Sequence, residues 1–161
     1  MMAHYGKFDG VNNYIALVGE KSKSDESLGY YGEQIVLKAQ ELGLNTCWVA
    51  MTHGKSKAQI DKGEKMVCLI SLGYGKTAGV AHKSKKLSEV CNYKKDMPEW
   101  FLSGMEATLL APTAMNRQKF YFELLPDNSI KITCGKGLYT KLDLGIVKYH
   151  FEVVSGKVNW R

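Results

Sequence analysis

The chain predicts a mixed α+β fold, because short runs of apolar and β-branched residues alternate with longer segments whose apolar residues fall at helical spacing. A Pro126-Asp127-Asn128-Ser129 turn between two apolar runs adds a hairpin to that pattern. At 161 residues, one domain over 1–161 is expected, burying about two thirds of the unfolded surface.

Residues 13–18 (NYIALV) read as a strand buried on both faces, and the polar, unperiodic stretch 20–27 reads as a loop. Residues 30–44 then predict a largely buried helix. Tyr31, Ile35, Ala39 and Leu42 form its stripe, Val36 and Leu37 widen it, and Gly43 is the stop. Gly29 and Gly32 permit close approach either to another helix or to a ligand. Residues 45–50 extend toward a turn at Met51-Thr52-His53-Gly54. A second strand covers 66–72 (MVCLISL), ended by Gly73-Tyr74-Gly75. Residues 96–110 predict a helix with Asp96 as cap, Pro98 in the first turn, Glu99 at its positive end and an apolar stripe of Phe101, Met105, Thr108 and Leu109. The hairpin strands are 120–124 and 130–134. Residues 143–155 predict a helix despite their β-branched content, since Ile146, Tyr149, His150 and Val153 share one face before Gly156; residues 158–161 could begin another strand.

Composition narrows the function classes. With 45% hydrophobic and 24% charged residues, disordered, collagenous and membrane classes are disfavoured. The run 66–72 is too short to cross a bilayer. The chain opens on no charged-then-apolar leader, so secretion is not expected. Cys47, Cys68, Cys91 and Cys134 lack Cys-x-x-Cys spacing, which favours reduced thiols in a cytoplasm over disulfides or zinc. No His or Cys pair has metal-ligand spacing, no Gly-x-Ser-x-Gly elbow is present, and Gly73-Tyr74-Gly75 lacks the rest of a dinucleotide fingerprint. The net charge of +6 is mostly dispersed, against a nucleic-acid footprint. His82-Lys83-Ser84-Lys85-Lys86 is the dense exception. It reads either as a solvated loop or, after a strand and glycine turn, as a seat for one phosphomonoester.

Two motifs carry more chemistry. Ala111-Pro112-Thr113-Ala114-Met115-Asn116-Arg117-Gln118 follows an apolar helix with small residues and side-chain hydrogen-bonders, suiting either a helix-terminal capping loop or a flat ligand with polar edges. Far from it lie Gly29-Tyr30-Tyr31-Gly32-Glu33-Gln34-Ile35-Val36-Leu37 and Leu42-Gly43-Leu44-Asn45-Thr46-Cys47-Trp48. Together these resemble the signatures of the FMN-dependent nitroreductases, in the order found in the putative TM nitroreductase subgroup. That resemblance implies a largely antiparallel mixed sheet flanked by helices. It implies FMN contacts from Thr113, Ala114, Met115, Asn116 and Gln118 on one side and Trp48, Val49 and Ala50 on the other, a backbone N–H of Val49 or Ala50 meeting the flavin N5. Lys83 and Lys85 would hold the phosphate. From the residues alone, Trp48 suits core packing better than ring stacking, and Cys47 suits burial.

The family further implies NAD(P)H as donor, a small oxidised acceptor such as a nitroaromatic or quinone, and a possible homodimer. Neither nucleic acid nor membrane is expected as a partner. Two departures stand out: Gly75 occupies the place of a usual proline, and no Arg-Arg/His-Ser-x-Arg motif precedes Asn12. The chain is therefore expected to be N-terminally truncated relative to the family. The alternative is a non-catalytic FMN- or nucleotide-binding module that has lost that phosphate grip.

Overall fold

The computed structural model describes residues 11–51, 56–156 and 158–161, so the turn expected across 51–54 and the segment before Val11 lie wholly or largely outside the described residues. Strand β1 (Asn13–Glu20) leads into helix α1 (Glu26–Glu41), β2 (Asn45–Val49) and β3 (Glu64–Gly73). A short helix α2 (Leu87–Val90) and α3 (Glu99–Thr108) precede a 3₁₀ turn (Ala114–Asn116), the hairpin β4 (Phe120–Leu124) and β5 (Ile130–Cys134), and α4 (Thr140–Ser155). Strand β3 is the centre of a sheet ordered β1-β3-β2, antiparallel on both sides, and β4 pairs antiparallel with β5. Two parallel bridges, Cys91 to Phe122 and Ile130 to Trp160, complete a mixed, mainly antiparallel α+β architecture.

Local chemistry accounts for most boundaries. Helix α1 begins inside the stretch expected to be loop: Asp25 takes the N-cap position, Ser24 Oγ accepts the Glu26 N–H, and Glu26 meets the positive helix end. It ends as expected at Gly43, whose φ of +76° lets Leu44 N–H reach Ala39 O. Pro98, rather than Asp96, holds the N-cap of α3, because its own extended ψ leaves the helical range only one residue before Glu99. Helix α4 starts three residues early at Thr140, whose hydroxyl bonds Gly137 O. In the hairpin turn, Asp127 Oδ1 accepts both the backbone N–H and the hydroxyl of Ser129, and Asn128 takes φ 60°. Residues 158–161 make one bridge rather than a strand.

Helices α1 and α4 cross on glycine. A Cβ at Gly29 would overlap Leu142 O, and one at Gly145 would overlap Glu26 O, so each backbone rests on the other. The choice left open for Gly29 thus resolves to helix packing, and Gly32 receives the Trp48 ring. This crossing turns α1 about its axis relative to the expected stripe. Gly29, Gly32, Glu33 and Ala39 are buried, whereas Tyr31, Ile35 and Leu42 are exposed. On α4, Ile146 and His150 are buried as expected but Val153 faces solvent.

The core joins both sheets through Phe101, Phe122 and Phe151, all fully buried, with Gly104 leaving room for the Phe151 ring. Each ring contributes about 1.5–3 kcal/mol by burial. Glu33 lies in this body at 1% exposure, with Oε2 accepting from Trp48 Nε1 at 3.0 Å and Oε1 2.7 Å from His150 Nε2. One carboxylate therefore ties α1, β2 and α4 together.

Candidate functional site

Helix α3 delivers the 111–118 loop. Leu109 and Ala111 continue its hydrogen bonding as the chain turns, and Ala111, 1% exposed, anchors the loop in the core. Thr113 is extended; then Met115, Asn116 and Gln118 take φ values of 53°, 51° and 47°. Left-handed backbone at a non-glycine residue costs about 1–3 kcal/mol, so three such residues within four positions need compensation.

A hydrogen-bonded clasp supplies it. Gln118, 3% exposed, accepts from Lys85 N–H at 2.8 Å through its side-chain oxygen and donates its amide to Lys83 O at 2.9 Å and Asn116 Oδ1 at 2.8 Å. Asn116 Nδ2 also donates to Lys83 O, at 2.9 Å. The Lys85 ammonium donates to Gln118 O at 3.0 Å, and Thr113 Oγ1 accepts the Gln118 N–H at 3.0 Å. Nearby, Ser84 Oγ bonds Leu109 O. Residues 82–85 and 109–118 thus form one unit, though about 30 positions separate them in the chain.

From below, Asp143 in the first turn of α4 accepts the Ala114 N–H at 2.9 Å. Burial raises its carboxyl from the ordinary 3.8 to about 6, with the Ala114 hydrogen bond opposing the shift. Sequence reasoning missed this residue, because its partner is a backbone group 29 positions away.

The sequence-expected residues fall into three groups. Thr113, Ala114, Met115, Asn116 and Lys83 are brought together, with Met115, Asn116 and Lys83 exposed. Gln118 and Lys85 are engaged inside the clasp. On the other side, the Trp48 N–H is committed to Glu33, Val49 is buried in the last β2–β3 pair opposite Leu69, and Ala50 lies just past it. Trp48 and Ala50 pack against the same apolar cluster that includes Ala111, which puts both segments on one body. Cys47 is half-buried, and burial raises its thiol pKa.

A cleft of about 550 Å³ opens elsewhere, between α1 and α4, lined by Tyr30, Tyr31 and Trp160 among others. Its carboxylates are engaged: Glu26 with Lys148, and Glu152 with Tyr30 and Trp160. Among the described residues no cluster of His, Cys, Asp or Glu is placed to hold a metal ion, and no helix is long and apolar enough to cross a membrane.

Antiparallel strands backed by a glycine-crossed helix pair, with an Ala-Pro-Thr loop delivered by a third helix, define a nitroreductase-like α+β protein. The chain belongs to the family described as Putative TM nitroreductase, whose profile matches residues 1–155. A 2.00 Å crystal structure of a putative nitroreductase from Thermotoga maritima is similar in fold, with a TM-score of 0.72 at 24% identity. The match covers 93% of this chain and 66% of that one, so the chain spans just under two thirds of that relative's length. No curated protein matches the chain.

Proposed function

We propose that this chain is an FMN-dependent oxidoreductase that uses NAD(P)H to reduce a small oxidised acceptor such as a nitroaromatic or quinone. The observation that carries this reading is the clasp. Two loops assigned separately, one to the flavin ring and one to its phosphate, are hydrogen-bonded into a single surface.

The residues present fit the cofactor with a division of labour. Asn116 retains one amide hydrogen and one lone pair beyond its clasp bonds, and Ala114 lets a planar ring approach closely. Met115 and Thr113 flank that edge, Ala50 offers backbone past the end of the β-ladder, and the exposed Lys83 ammonium suits the phosphate. Gln118 and Lys85 position this set from within. When bound, FMN supplies the hydride chemistry. The chain's own task is to seat it, hold Asn116 and Thr113 toward its polar edge, and concentrate positive charge beside it. The exposed stripe of Tyr31, Ile35 and Leu42 on α1 suits a homodimer, and the free cysteines suit a reducing cytoplasm.

Flavin titration followed by NADPH oxidation tests the reading. Yellow protein whose NADPH consumption rises with a nitroaromatic is expected. Tight FMN binding without turnover would favour the non-catalytic module, and protein that ignores added FMN would end both readings.

A further inference from the structure

The clasp gathers more positive charge than one flavin phosphate can neutralise. It joins Lys83, Lys85 and Lys86 to Arg117 and Lys119, and the Lys119 ammonium donates to Lys136 O at 2.8 Å, which brings in a sixth cation. Segments 82–86, 113–119 and 135–137 contain no acidic residue. Among the described residues two carboxylates touch them, Glu89 at the Lys86 N–H and Asp143 at the Ala114 N–H. Among the described residues none of the six cations forms an ion pair, whereas Lys23, Lys38, Lys65, Lys131 and Lys148 pair with Glu20, Glu41, Asp25, Glu123 and Glu26. Six cations against two carboxylates leave four positive charges. A phosphomonoester carries about −1.5 to −2, so FMN leaves roughly two unmatched, enough for a second phosphate.

Arg117 is the residue best placed to hold it. Arg117 is exposed and its guanidinium has no hydrogen-bond partner among the described residues, while its neighbour Lys119 is half-buried with its side chain against Gly135 and Gly137. Its backbone is fixed by Arg117 N–H to Ala114 O, and the side-chain amide of the preceding Asn116 bonds Lys83 O. A planar guanidinium fork matches phosphate oxygens better than an ammonium does. Building on the reductase reading, we propose that Arg117, supported by Lys86, Lys119 and Lys136, forms a second phosphate site that takes the 2′-phosphate of the reduced nicotinamide dinucleotide and so selects NADPH over NADH.

Two measurements test this. The first is calorimetric binding of adenosine 2′,5′-bisphosphate against adenosine 5′-monophosphate, which needs no turnover. At low salt the wild-type protein should prefer the bisphosphate at least tenfold, Arg117→Ala should remove that preference, and Arg117→Lys should restore part of it. The second is the NADPH-to-NADH ratio of kcat/KM, which should fall at least tenfold in Arg117→Ala. Equal binding of the two nucleotides would overturn the site, as would tighter binding of a single-stranded oligonucleotide than of the bisphosphate. A tenfold loss of FMN relative to riboflavin in Arg117→Ala would assign the guanidinium to the flavin phosphate and overturn the site as well. Wild-type protein that turns over neither dinucleotide yet prefers the bisphosphate would sink the reductase reading and support the site.

Discussion

Two polar networks hold this molecule together, and they differ in what they leave over. Around Glu33, both carboxylate oxygens have a partner: one serves Trp48, the other His150, and Glu33 itself is 1% exposed. Around Gln118 the amide is equally saturated, but it braces a surface where Asn116, Lys83 and Arg117 stand exposed on left-handed or irregular backbone. A saturated network in a core specifies packing. A saturated residue beneath an unsaturated surface specifies a site, because strain and unpaired charge persist only where something else holds them in place.

The sharpest break of this contrast is Glu33→Ala. It strands the Trp48 N–H and the His150 ring nitrogen in the core, so denaturant unfolding should show a loss of about 3–5 kcal/mol. A loss under 1 kcal/mol would mean that water reaches the pair. Gln118→Ala comes next. It removes three side-chain hydrogen bonds from a buried position and should cost roughly 2–3 kcal/mol, while flavin fluorescence titration should show FMN affinity falling as the loop loses its brace. Retained affinity in a destabilised variant would separate the clasp from the site.

Asp143→Asn should act in the opposite direction. The folded carboxyl titrates at about 6 against an ordinary 3.8, so the folded state binds this proton more tightly than the unfolded chain does. The resulting stability is fully present below pH 3.8 and is lost as pH rises through about 6. Asparagine keeps an acceptor for Ala114 and never ionises. At pH 7 the variant should therefore be more stable by roughly 2 kcal/mol, with a flatter stability profile between pH 4 and 6; parallel profiles for the two proteins would refute the assignment. The smallest effect on folding belongs to Lys83→Ala, within about 0.5 kcal/mol as for other exposed positions. Its signature is chemical: FMN should weaken more than riboflavin, and equal weakening would remove Lys83 from the phosphate.

Legibility in the sequence followed the range of the interaction. The hairpin was readable because its turn chemistry is local, carried by Asp127, Asn128 and Ser129. The start of β2 at Asn45 and the stop at Gly43 were readable for the same reason. The buried face of α1 was not, since Tyr31, Ile35 and Leu42 are apolar yet exposed while a glutamate occupies the core. The glycine crossing with α4, more than a hundred residues away, and the Trp48 ring against Gly32 set that rotation. In the site, the Ala-Pro-Thr loop and the basic run each stood out by composition. Their union did not, nor did the engagement of Lys85 and Gln118 with one another, because amide-to-backbone bonding across 33 positions leaves no pattern in either segment.

The crossing at Gly29 and Gly145 also governs how the protein moves. Where helices meet through side chains, a rotamer change can let one slide; here the peptide groups themselves meet, and nothing between them can yield. Separating α1 from α4 would therefore also part Glu33 from His150, Tyr30 from Glu152 and Glu26 from Lys148. The two helices should consequently release their amide hydrogens to deuterium together, as one cooperative unit, however freely the loops above them breathe.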